Sequence, residues 1–204
     1  FLLTQFIGLW VVASYMPITE STINQETGEI ELIVQERNLP FGLQTPDDEI
    51  TTNFISIVFS FIFALAIILI LMKYKWKFII RTWFFFVISL ALGISIYAFI
   101  RNSVSNPQIL ALVIAVPLSY FKIFKPNVLT HNITELLIYP GIAAVFIPIL
   151  TPLSIIGLLI LISLYDMWAV WKSGIMQKMA KFQMEELRIF GGFLIPSASA
   201  KVKM

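Results

Sequence analysis

One carboxylate in this sequence stands where carboxylates are rarely tolerated. Asp166 lies inside Thr151–Trp171, a run of 21 residues whose other members carry no charge. It precedes Lys172 by six residues, about 9 Å along a helix at ~1.5 Å rise per residue. An acid at membrane depth costs ~2.5–3.5 kcal/mol on insertion scales, so it must face a bundle interior or a water-filled cavity and is functional by default. The chemistry open to it is proton transfer. Asp166 could be half of a carboxylate dyad, in which one member activates water while the other protonates the scissile carbonyl oxygen. It could equally be a proton relay in a transporter, and an interhelical hydrogen bond is the structural alternative.

Other chemistries find no residues. Cysteine is absent, which removes disulfides, thiol nucleophiles and thiolate metal sites. The single histidine, His131, stands at the mouth of the fifth apolar stretch and reads as interfacial. No His, Cys and carboxylate cluster has metal spacing, and no Gly-rich phosphate loop occurs, so neither a metal nor an organic cofactor is expected. Glu135, near the start of the same stretch, is expected to snorkel to the headgroups. The basic residues flank apolar runs, which excludes nucleic acid as a partner.

The elements that must position Asp166 are membrane helices. Of the 204 residues, 58% are hydrophobic and 13% charged, against about 25% charged in soluble domains. Phe54–Met72 and Thr82–Ile100 each run 19 residues without a charge, close to the ~20 that a spanning helix needs. They do not alternate polar and apolar as β-barrel strands would. Six spans are predicted at about 1–17, 51–72, 79–100, 107–121, 133–150 and 152–171, the first lacking its beginning. Pro117, Pro140 and Pro148 predict kinks or short helices in the fourth and fifth.

Loop charges orient the bundle. Lys73, Lys75, Lys77 and Arg81 follow the second span, Lys122 and Lys125 the fourth, and Lys172, Lys178 and Lys181 the sixth. Alternation places all three groups on one side, which the positive-inside rule makes cytoplasmic. The N-terminus is then cytoplasmic and residues 18–49, with eight acidic residues and only Arg37 as a base, are outside. Within that loop Ile23–Val34 predicts strand, turn and strand, with Thr27-Gly28 near the turn. The chain therefore divides into a bundle over 1–171 and a cytoplasmic segment over 172–204. In the latter, Met176, Met179, Phe182, Leu187 and Phe190 form an apolar stripe predicting an amphipathic helix over 173–190. Gly191-Gly192 ends it.

The stretch Leu161-Ile162-Ser163-Leu164-Tyr165-Asp166-Met167-Trp168-Ala169-Val170 resembles the sixth-helix motif of presenilins and their archaeal homologues. These belong to the presenilin and signal peptide peptidase family of intramembrane aspartyl proteases. The basic turn Leu71–Lys75 followed by Phe78–Trp83, the acidic loop after Met16-Pro17-Ile18-Thr19, and Glu185–Ser197 are similar to family segments too. The resemblance implies an all-α integral membrane protein, a six-helix bundle forming the N-terminal half of a nine-helix presenilin-like fold. It implies that Asp166 is the first catalytic aspartate and that Tyr165 shapes the cavity beside it. Gly192, Phe193, Leu194, Ile195, Pro196 and Ser197 match the region that pairs as a β-strand with an extended substrate. Without substrate, 193–197 is expected extended or disordered, since an unpaired edge gains little.

The family's second aspartate, in Gly-x-Gly-Asp on its seventh helix, and its Pro-Ala-Leu motif on the ninth are both missing from this string. The implied function is therefore the N-terminal part of an intramembrane aspartic endopeptidase acting on transmembrane substrates. It would be inactive until joined by a C-terminal half with helices seven to nine. The alternatives are a proton-coupled transporter subunit and a non-catalytic membrane interaction module.

Overall fold

The computed structural model describes residues 2–16, 18–23, 30–35, 39–42, 50–147, 150, 152–187, 189 and 191–194. Helix α1 spans Leu2–Tyr15. An antiparallel hairpin follows, β1 Ile18–Ile23 and β2 Ile30–Gln35. Then come α2 Ile50–Lys73, α3 Lys77–Ile100, α4 Pro107–Phe124, α5 Val128–Phe146 and α6 Pro152–Trp168. A π-helical turn, Ala169–Ser173, prolongs α6; α7 spans Ile175–Lys181, and a second π-helical stretch, Phe182–Leu187, completes the described helices.

The expected helical architecture is present, and five of these helices, α2 to α6, are long and apolar enough to cross a membrane. Helix α1 is apolar but has 14 residues, about 21 Å at ~1.5 Å each, shorter than a ~30 Å hydrocarbon core. Helices α4 and α5 run through Pro117 and Pro140 for 18 and 19 residues, so the prolines do not shorten them. Pro148 lies outside the described residues. The hairpin is real but its first strand is earlier than expected: Ile23 closes β1 opposite Ile30, and Ile18 pairs with Gln35. Ile18, Thr19, Thr22 and Ile23 are β-branched, which suits them to a pleated ladder. Thr27 and Gly28 are outside the described residues.

Helix α3 is the centre. It packs on α4, α5 and α1, and α1 packs on α5. One apolar cluster joins Ile88, Leu92 and Ile96 of α3 to Ala111, Ala115 and Ile123 of α4 and Ile138 of α5. A second joins Val11 and Tyr15 of α1 to Ile94 and Ala98 of α3 and Ala144 of α5. Lipid tails offer no hydrophobic drive between helices, so close backbone approach through small residues is what holds them. Gly141 of α5 is the tightest point: a Cβ there would run into the Ala91 carbonyl oxygen of α3. Beside it, the Ser95 hydroxyl donates to the Leu137 carbonyl. The Tyr15 hydroxyl donates to the Ile94 carbonyl at 2.7 Å, and Arg101 donates to the Ser14 carbonyl.

The crossing makes a sharp prediction. Gly141→Ala must push α3 from α5, and overpacking of this kind costs about 1–3 kcal/mol. The expected result is a lower unfolding midpoint in detergent, with Gly8→Ala, where an added methyl meets nothing, unchanged. Equal midpoints for the two variants would refute the tight crossing.

Helices α2 and α6 behave differently. No residue of α6 is buried, and the apolar span of α2 is likewise uncovered. Helix α2 meets α3 and the 179–187 segment near its end, through Ile68 and Met72, and α6 buries no side chain fully.

Candidate functional site

Asp166 sits in the last turn of α6 and is half-buried. Its neighbour Tyr165, also half-buried, places its ring 6.4 Å from that of Trp168. Three residues after Asp166 the helix widens into the π-helical turn Ala169–Ser173, a deformation frequent at functional sites. Gly174 ends the turn with φ +59°, the left-handed geometry that glycine supplies at helix C-termini, and α7 starts immediately after it. Among the described residues Asp166 makes no ion pair with any base, and no three of His, Cys, Asp and Glu gather as a metal would need.

The chain after α7 folds back onto the core. Of the helix expected over 173–190, Ile175–Leu187 is formed as α7 and the π-helical stretch; Arg188 and Phe190 lie outside the described residues. Leu187 is fully buried, and Arg81 of α3 donates to its carbonyl twice, from Nε at 3.2 Å and Nη2 at 2.7 Å. The last carbonyls of a helix lack partners, and here a guanidinium fork supplies them. Lys77 forms an ion pair with Glu186. That hydrogen bond, and then the Lys77 charge, hold the exposed Glu186 carboxyl below its usual range. A carboxyl with a depressed folded pKa stabilises above its unfolded value and loses that contribution as pH falls through the folded one. Docking of Phe182–Leu187 on α3 should therefore loosen slightly as pH falls below the ordinary glutamate range and with added salt. Amide exchange in this segment would measure it; no acceleration on acidification would contradict the pairing.

The residues sequence reasoning missed lie at the start of α5. Glu135 does not snorkel. It and Lys122 of α4 are both buried, with Nζ and Oε1 2.6 Å apart. Lys122 accordingly belongs to α4 and not to a loop, and the helix reaches Phe124 instead of stopping near 121. His131 is buried rather than interfacial; its Nε2 lies 3.6 Å from Glu135 Oε1 and 2.7 Å from the Gly192 carbonyl oxygen. The Gly192 N–H donates to Glu135 at 3.4 Å. Asn132 holds Leu194 at both main-chain groups, donating to its carbonyl and accepting from its N–H at 2.8 Å each.

Gly192 and Leu194 are thus held by α5; of the stretch 193–197, expected extended or disordered without substrate, Leu194 is fixed at both main-chain groups. The side chains of α5 provide the pairing that no strand provides. Ile195, Pro196 and Ser197 lie outside the described residues. The available signal was the i, i+4 spacing of His131 and Glu135, which puts them on one helix face. No bond joins Asp166 to this cluster among the described residues.

The family model described as signal-peptide peptidase, presenilin aspartyl protease matches residues 31–202. No curated protein and no solved structure matches the chain.

Proposed function

Because the chain belongs to the family of signal-peptide peptidase and presenilin aspartyl proteases, we propose that it forms the N-terminal part of an intramembrane aspartic endopeptidase and supplies Asp166 as one of two catalytic carboxylates. The observation that carries this is the setting of Asp166. It is an ionisable group on an apolar helix of spanning length, one turn before a π-helical opening, on a helix with no buried residue. A helix that carries a carboxylate into the membrane and buries no face has room for a partner segment there.

The chemistry follows from two carboxyls. The ionised one takes a proton from water as its oxygen attacks the scissile carbonyl carbon. The protonated one gives its proton to the carbonyl oxygen, and the resulting gem-diol collapses with release of the amine. Tyr165 walls the cavity next to Asp166. Gly192–Ser197 pairs with the substrate backbone, which must unwind because helical peptide bonds are shielded; strand addition then satisfies its freed groups. The second aspartate comes from a C-terminal half with three further membrane helices. The basic connections support residues 172–204 in the cytoplasm and 18–49 outside; a cytoplasmic N-terminus requires in addition that α1, 14 residues long here, crosses as the first span.

Peptide release from a single-span substrate in liposomes, with a chelator present, tests the reading. Residues 1–204 together with the segment bearing the second aspartate should cleave, and residues 1–204 alone should not. Cleavage by residues 1–204 alone would remove the dyad. Orientation is tested separately, and the absence of native cysteine makes it simple. A cysteine placed by Glu31→Cys should react with an impermeant maleimide on intact cells; protection there with labelling only after lysis would invert the topology.

A further inference from the structure

A side-chain amide carries the same kinds of group as a peptide unit, a carbonyl acceptor and an N–H donor. Asn132 directs both at a single residue, Leu194. Two residues earlier, Gly192 meets α5 in the same way, with its carbonyl on His131 and its N–H on Glu135. Residues two apart therefore turn their main-chain groups to one side, which is how alternate residues of a strand address one neighbour. By that alternation the main-chain groups of Phe193 face the opposite side. Among the described residues the Phe193 main chain makes no hydrogen bond, and the residue is 41% exposed.

The holding face is rigid. Lys122 fixes the Glu135 oxygen that receives Gly192, and Lys122, His131 and Glu135 are all nearly inaccessible, so water does not compete for these groups. Gly192 has φ +121°, a conformation that L side chains rarely adopt. Glycine at this position is what allows the chain to leave Gly191 and still present both Gly192 groups to α5.

We infer that the first turns of α5 act as a surrogate strand: Asn132, with His131 and Glu135, are positioning residues that hold Gly192–Leu194 from behind and leave the Phe193 edge for an extended substrate backbone. This rests on the protease reading for the identity of the incoming peptide, while the docking itself does not depend on it. The arrangement has a clear energetic sense. Adding a strand to an already ordered edge avoids fixing that segment at the moment of binding. Substrate recognition should therefore weaken when the support is removed, even though no supporting atom touches substrate.

Two measurements on Asn132→Leu separate the parts. In residues 1–204 in micelles, the Leu194 amide should exchange at least about tenfold faster than in the unsubstituted chain, with the amides of α3 and α5 unchanged. In the protein carrying both aspartates, KM for a membrane-embedded peptide should rise about tenfold with kcat within about twofold. Asn132→Ser, smaller and polar, should show the same two changes if the leucine disturbs insertion. An unchanged Leu194 exchange rate would overturn the dock. Faster cleavage by Asn132→Leu would overturn the supporting role, because Asn132 would then be a latch that substrate must displace. If the unsubstituted protein cleaves nothing, the protease reading fails, and the exchange rates still decide whether α5 holds the segment.

Discussion

In the completed enzyme, Asp166→Asn is expected to lower peptide release from a membrane-embedded substrate by at least about 10³-fold, within the range that positioned acid–base groups contribute. Asparagine keeps the shape and the hydrogen-bonding capacity of the carboxyl but neither takes up nor releases the proton. Assembly should survive, because Asp166 makes no ion pair among the described residues and α6 buries none of its side chains in this fold. Association with the segment bearing the second aspartate, followed by co-purification, gives the control. The unsubstituted enzyme should lose rate at both low and high pH, where the dyad is doubly protonated or doubly ionised; these limits belong to the pair and not to either residue. The informative combination is intact association with abolished cleavage. Retained cleavage by Asp166→Asn would end the dyad assignment and favour proton coupling or a purely associative role.

The second large effect concerns stability. Lys122→Met leaves the Glu135 carboxylate buried beside His131 with its cation removed. Breaking a buried pair from one side costs about 3–5 kcal/mol, because an uncompensated charge remains. Removing both charges, in Lys122→Met with Glu135→Leu, should recover most of that loss, since well-packed apolar replacements of buried pairs are often neutral or stabilising. Denaturant unfolding in detergent across the four members of the cycle would show a strong coupling energy. Additive losses would mean that the two groups do not depend on each other. The double variant also removes the acceptor of the Gly192 N–H, so it should fold well while its 191–194 segment exchanges faster. Stability and docking then come apart in one protein.

The membrane helices were legible because a spanning segment is a local property. Roughly 20 apolar residues can be read in Phe54–Met72 or Thr82–Ile100 without knowing any neighbour. Asp166 was legible for the same reason, as one charge within such a run. What could not be read was every feature made by two distant segments. Lys122 looks like a flanking base until Glu135, across the turn at Lys125-Pro126, turns it inward, and only then does α4 extend to Phe124. The contact of Gly141 with Ala91 needs the crossing of α3 and α5 to exist first. The resemblance marked Gly192–Ser197 as a strand awaiting substrate but not its support, since a side chain 62 residues earlier that imitates a strand leaves no periodicity behind. The hairpin was visible by alternation in its second strand, but its first strand was misplaced because Ile18–Thr22, Ile-Thr-Glu-Ser-Thr, carries no alternation to read.

Helix α6 has a further consequence for the membrane itself. Helices α1, α3, α4 and α5 are fixed to one another by buried contacts, whereas α6 contributes no fully buried side chain to that packing. The vertical position of such a helix is set by matching its apolar stretch to the local bilayer thickness, through tilt and anchoring of its ends. Trp168 and Trp171, both exposed, and Lys172 are the anchors available at one end. The height of Asp166 relative to the rest of the fold is thus a quantity that lipid chain length helps to determine, and the bilayer acts as one of the surfaces that align the carboxyl with its target.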